Sequence, residues 1–260
     1  MIESEILFTD LLGCDRVSLY LNQDRYLNKQ QADFLASVLK RRAKGEPLQY
    51  ILAKTEFMGL QFRLTEDVLI PRPETEILVE TALRYFSNID TALQILDLGT
   101  GSGCIAICLA KVLSNSIIDA IDISERALKV AKKNSRLHKV NINFMPSDLF
   151  SNQKLIGNSY DLIISNPPYI PGEEIKNLQP EIRFEPDIAL DGGSDGLDFY
   201  RRVIGESSQY LKDRGLLMIE IGFNQKYAVQ DIIGKSSALD IIEIVKDYHN
   251  FERVIVAQKR

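Results

Sequence analysis

The 260-residue sequence has no tryptophan, only three cysteines and two histidines, and its 31 Lys and Arg are outnumbered by 36 Asp and Glu. Each shortage excludes something. Three cysteines cannot form a disulfide framework, and the odd count suits a reducing compartment. Cys104 and Cys108 are four apart in an apolar segment, so they share a helical face. With no further ligand beside them they are expected to be small core residues, and no metal site is expected. His138 and His249 stand alone and carry no expected chemistry. A net charge of −5 argues against a protein that lives on nucleic acid. The single basic cluster, Lys40, Arg41, Arg42 and Lys44, precedes Gly45, where positive charge suits a helix C-terminus. No apolar run approaches the ~20 residues that span a bilayer. The opening stretch MIESEILFTDLLG carries acids where a secretory signal carries bases. A cytoplasmic, monomeric protein away from membranes is expected.

What is present is ordinary globular material, 45% hydrophobic and 26% charged, in a length that suits one or two domains. Residues 1–54 read as helices: ESEILFTDLL ends at Gly13, and NKQQADFLASVLKRRAKG runs from a capping Asn28 to Gly45. Residues 55–73 change character. Phe57, Leu60, Phe62 and Leu64 alternate loosely around Gly59, which predicts a hairpin. PRPETE closes this connector, and Arg72, Glu74 and Glu76 are expected to hold the junction. From there to residue 260 strand-like and helical segments alternate. LQILDL, IIDAIDI, INFMPSD, YDLIISN and GLLMIEIG read as strands, with a helix over about 195–212 before the last. ALDIIEIVKD and FERVIVAQK add two strands with no helix between them. The pattern predicts an α/β fold: a doubly wound, Rossmann-like, mostly parallel seven-stranded sheet with one antiparallel strand at the end, plus a small N-terminal helical domain.

DLGTGSG, residues 97–103, lies between the first strand of that sheet and its helix. Glycines there allow a tight turn and a close ligand, and the helix start offers free N–H groups. Asp122 ends the next strand, where an acid can accept hydrogen bonds from both hydroxyls of a ribose. The loop also fits a loose dinucleotide fingerprint, Gly101-x-Gly103-x-x-Ala106, which keeps a nicotinamide cofactor open. No residue offers itself for hydride transfer. Asp97, Gly99, Gly101 and Gly103 together resemble the loop of class I S-adenosylmethionine methyltransferases.

LIISNPPYI, residues 162–170, places a polar amide, two prolines and an aromatic ring at the end of a buried strand. Proline cannot continue a sheet. An amide nitrogen is a poor nucleophile, so methyl transfer to one depends on aim. The Asn166 side-chain oxygen and the Pro167 carbonyl can grip an NH₂ group. Pro167 and Pro168 keep them rigid, and Tyr169 can pack on the flat acceptor. NPPY alone admits two acceptors, the glutamine side-chain amide and the adenine amine of nucleic acid.

GEPLQYI, LIPRPETE, DLGTGSGCIAI, SNPPYIP and FEPDIALDGGSDGLDFYR together closely resemble the bacterial protein-(glutamine-N(5)) methyltransferases of peptide-chain release factors. The resemblance runs nearly end to end. It implies a helical domain over 1–54 that recognises the release factor, a hairpin linker over 55–73, and a methyltransferase domain over 74–260. It implies that Gly99, Thr100, Gly101, Ser102, Gly103, Asp122, Asp148, Leu149 and Asn166 contact S-adenosyl-L-methionine. Asn166, Pro167, Pro168 and Tyr169 would hold the glutamine of a Gly-Gly-Gln loop. Some members carry tryptophan where this chain has Leu149, so adenine would meet an apolar contact, helped by Phe150. An adenine methyltransferase would want a basic channel and aromatic platforms, which residues 1–54 do not supply. A non-catalytic docking protein would not need both loops intact. DGGSDGLDF lacks the spacing of a calcium loop and is expected to be a loop leading into a helix.

Overall fold

The structure, a computed structural model, describes residues 2–22, 24–87, 89, 91–157 and 159–260. The chain opens with α1 (Glu3–Leu12), α2 (Arg16–Leu21), α3 (Lys29–Arg42) and α4 (Leu48–Ile51). Gly13 ends α1 in the left-handed conformation, and Asn28 caps α3 by accepting from the Gln31 amide. Leu7, Val38, Leu48 and Ile51 form a small core of their own. The basic end of α3 is paired: Arg41 with Glu46, and Arg42 with Glu3 and with Glu181 far along the chain.

β1 (Lys54–Phe57) and β2 (Leu60–Arg63) form the expected hairpin. Both turn residues, Met58 and Gly59, have positive φ, the turn geometry that matches the twist of paired strands. α5 (Pro73–Phe86) begins with proline at its first position, where the missing N–H costs nothing. Its Glu76 accepts from the Met58 amide at 2.6 Å, and Arg72 pairs with the buried Glu185. These residues hold the junction.

The remaining elements are β3 (Gln94–Leu98), α6 (Cys104–Val112), β4 (Ile117–Asp122), α7 (Glu125–His138), β5 (Asn143–Pro146), β6 (Tyr160–Ser165), α8 (Gly172–Ile175), α9 (Asp198–Ser207), β7 (Leu211–Glu220), α10 (Lys226–Lys235), β8 (Leu239–Lys246) and β9 (Glu252–Lys259). The sheet runs β5-β4-β3-β6-β7-β9-β8. β9 is antiparallel to both neighbours, and the β3, β4, β5, β6 and β7 pairings are parallel. Alternate strand residues feed two cores. Ile95, Ile118, Leu162 and Met218 face the side covered by α5 and α6. Leu96, Ile121, Ile163 and Leu217 face α9 and α10. Burial on both faces explains why these strands read as continuous apolar runs. Cys104 and Cys108 are buried core residues, as their spacing predicts.

Two details differ from the sequence reading. The helix expected over 195–212 stops at Ser207, because Leu211 is claimed by β7 through its pairing with Tyr160. The helix α10 was not anticipated. It carries Val229 and Ile233 into the core and returns the chain to the edge of the sheet, where β9 separates β8 from β7.

Candidate active site

A cavity of about 380 Å³ opens at the C-terminal ends of β3, β4 and β6. Its size suits a small-molecule site. After β3 the chain winds outward to β4 and β5, then returns to β6 on the other side of β3. That reversal leaves the crevice in which open α/β sheets bind ligands. Gly99, Gly101, Asp122, Asp148, Leu149, Asn166 and Pro168 line it together.

The β3–β4 side is built largely by backbone and short-range bonds. Gly99 and Gly101 have φ of 71° and 54°. A Cβ on Gly99 would meet no protein atom within 4 Å, so the space above it is cavity. Gly103 is different: its Cβ would meet Ala131 and Ile107 at 3.1 Å, so it permits close helix packing. Thr100 and Ser102 turn away from the cavity. The Thr100 hydroxyl donates to Asp97 at 2.6 Å, and the Ser102 carbonyl accepts from Asn134. Burial pushes the Asp97 carboxyl up to about 7, against the Thr100 bond; its Oδ1 finds no partner among the described residues. Asn134 also bonds both backbone groups of Arg63, tying the glycine loop to the hairpin. The sequence reading missed Asn134, a fully buried polar residue inside an amphipathic helix.

Asp122 accepts from the Gly101 and Ser124 amides, each at 2.9 Å. Burial raises its pKa despite those bonds. Each carboxylate oxygen carries two lone pairs, so both can still accept from a diol. Leu149 is buried with a φ of 49°. Phe150 does not line the cavity. The ring stacks on Tyr210 with centroids 4.5 Å apart and belongs to the core under the sheet. Asp148 pairs with Arg202 of α9 at 2.9 Å.

On the β6 side, Ser165 donates to the Leu98 carbonyl and locks β6 to β3 beside the cavity. Asn166 follows, and its Nδ2 donates to Thr75 Oγ1 of α5 at 2.9 Å. Pro167 and Tyr169 are not among the residues that line the cavity. The Tyr169 carbonyl accepts from Gln225, which also bonds the Gly196 carbonyl. A Cβ on Gly192 would lie 2.8 Å from the Tyr169 Cα, so the 191–196 loop packs directly on the NPPY backbone. This loop, the segment before it and the start of α9 supply a whole wall, including Pro186, Ile188, Ala189 and Phe199. The sequence reading treated DGGSDGLDF as loop and helix start, which it is, but did not place it against the site. Among the described residues no cluster of His, Cys, Asp and Glu could hold a metal ion, and no helix is long and apolar enough to cross a membrane.

This sheet order, with a glycine loop after β3 and an acid ending β4, is the fold of class I methyltransferases. A methyltransferase from Pyrococcus furiosus has the same fold, with a TM-score of 0.58 at 17% identity over 90% of this chain and 98% of its own. The "Methyltransferase small domain" model matches residues 74–182, and the "PrmC N-terminal domain" model matches residues 1–52. The release factor glutamine methyltransferase of Geobacter sulfurreducens is 42% identical over 98% of this chain and 88% of its own. That of Fusobacterium nucleatum is also 42% identical, over all of this chain and 73% of its own. The chain belongs to the release factor glutamine methyltransferase family.

Proposed function

We propose that this protein transfers a methyl group from S-adenosyl-L-methionine to the side-chain amide nitrogen of the glutamine in the Gly-Gly-Gln loop of class I peptide-chain release factors. It would do so in the cytoplasm, in support of translation termination. The observation that carries the reading is Asn166. Its NH₂ end is committed to Thr75, so its Oδ1 is left as an acceptor at the cavity, which is what a substrate NH₂ requires.

The residues present fit the cofactor. Asp67, Asp122, Asp148, Asp191 and Asp198 line the cavity, with Arg202 the one basic residue among the described lining residues and already paired to Asp148. An acid-rich wall favours a cationic ligand and disfavours the pyrophosphate of a dinucleotide. When bound, S-adenosyl-L-methionine supplies an electrophilic methyl on a positive sulfur. Asp122 would accept from its ribose hydroxyls, Ile121 and Leu149 would flank its base, and the open space over Gly99 and Gly101 would take its amino-acid portion. Thr100, Ser102 and Gly103 would act from behind, by holding that loop.

Asn166 Oδ1 and the Pro167 carbonyl would accept the two N–H groups of the glutamine amide and aim its nitrogen. Alignment of this kind can contribute ~7 to 11 kcal/mol to an in-line displacement. The prolines and the 191–196 loop keep the acceptors rigid, and Tyr169 would pack on the amide. The alkylated nitrogen is acidic and sheds its proton, so no carboxylate or imidazole base is needed at the amide. Residues 1–54, with their separate small core, would recognise the release factor, residues 55–73 would link, and residues 74–260 would carry the transfer.

Incubation with methyl-labelled S-adenosyl-L-methionine and a release factor, followed by peptide mapping in the mass spectrometer, tests this. The expected mark is on the Gly-Gly-Gln glutamine. Label on any other residue, or on nucleic acid, would overturn it.

A further inference from the structure

Thr75 lies in the first turn of α5 and is 2% exposed. PRPETE drew attention to its acids, yet the threonine between them is the residue that reaches the site. Its Oγ1 accepts the 2.9 Å hydrogen bond from Asn166 Nδ2, across 91 residues of sequence. Glu220, at the end of β7, is 1% exposed, and its Oε2 has no hydrogen-bond partner among the described residues. Hydrogen bonding from the Thr75 hydroxyl offsets part of the burial that raises the Glu220 pKa. A hydroxyl has a single proton. When Glu220 takes it, Thr75 offers Asn166 only lone pairs. A flipped Asn166 would then set its own oxygen against those lone pairs and bury an unmatched contact.

We propose that Thr75 is the positioning residue that holds the Asn166 amide with its NH₂ toward α5 and its Oδ1 toward the cavity. This rests on the functional reading above, because an acceptor at position 166 matters only if the substrate presents an NH₂ group. Thr75 does not line the cavity, so it acts through Asn166.

The test compares Thr75→Val, which keeps the shape and removes the hydroxyl, with Thr75→Ser, which keeps the hydroxyl. At saturating S-adenosyl-L-methionine, single-turnover methylation of a release factor should fall about tenfold in the valine variant, the loss expected for one hydrogen bond. It should return to within about threefold of wild type in the serine variant, with cofactor affinity unchanged in both. In the free protein, the Asn166 side-chain NH₂ resonances should exchange faster with solvent in Thr75→Val and at the wild-type rate in Thr75→Ser. Valine turning over like wild type, or Asn166 signals unmoved by valine, would overturn the assignment. The resonance measurement uses no release factor, so a wild-type protein that leaves the factor unmodified would fail the functional reading alone.

Discussion

The two sides of the cavity are held together over very different distances along the chain. On the β3–β4 side, Thr100 reaches Asp97 three residues away, Asp122 reaches Ser124 two residues away, and Gly101 reaches Asp122 over 21. On the β6–β7 side, Asn166 reaches Thr75 over 91 residues and Gln225 reaches Tyr169 over 56. The first side is mostly a local turn, to which Asn134 adds bonds to Ser102 over 32 residues and to Arg63 over 71. The second exists only after α5, β6, β7 and the 191–196 loop have met. A binding surface for a conserved chemical group can be local; an aimed acceptor has to be braced from several elements.

This contrast can be broken experimentally. The largest effect is expected at Asn166. Asn166→Ala should leave S-adenosyl-L-methionine binding largely intact and reduce methyl transfer by about 10²- to 10³-fold, as removal of a positioned polar contact at a reacting centre does. Single-turnover rates at saturating cofactor measure it, and near wild-type transfer would reduce NPPY to a turn. Asp122→Ala should do the reverse. Losing a charged acceptor for two hydroxyls should weaken cofactor binding by roughly 1.5 to 3 kcal/mol, with a smaller effect on the bound-state rate. Calorimetric titration would show it, and unchanged affinity in a folded variant would remove Asp122 from the site.

A smaller effect separates the bracing from the chemistry. Burial lifts the Glu220 carboxyl from an ordinary 4.5 to about 7, partly offset by Thr75 and Arg253. The folded chain therefore holds this proton more tightly than the unfolded chain. The resulting stability is complete below about pH 4.5 and is lost as the pH rises to about 7. Glu220→Gln should accordingly gain stability relative to wild type across that window, by at most about 1.4 kcal/mol per pH unit, and level off above it. Asp97 is raised similarly but is common to both proteins and cancels. Urea unfolding at several pH values measures the difference, and a gap that does not widen with pH would show that Glu220 is charged throughout.

Much of the architecture was legible in the chain. The hairpin around Gly59, the capped helices at Asn28 and Ser124, and the alternation of apolar runs with helices all have short-range physical causes. Where the reading slipped, a long-range contact decided. Leu211 fits a helical spacing after Val203 and Ile204, and only its pairing with Tyr160 makes it strand. Phe150 follows Leu149, but its ring stacks on Tyr210 from beyond α9 and it does not line the cavity. Thr75 carries no local signal, since a threonine in the first turn of a helix is common and its partner is 91 residues away.

The sequence by itself determined the order of elements, the alternating sheet, the glycine loop with its acid, and the rigid amide at the end of β6, because each follows from backbone geometry or from residues a few positions apart. Only the tertiary structure decided which way the Asn166 amide faces, which carboxylates are buried, and which loop closes the cavity. Those depend on donors and acceptors that the chain brings together across the sheet, and a hydrogen bond has no sequence signature until both of its ends are in place.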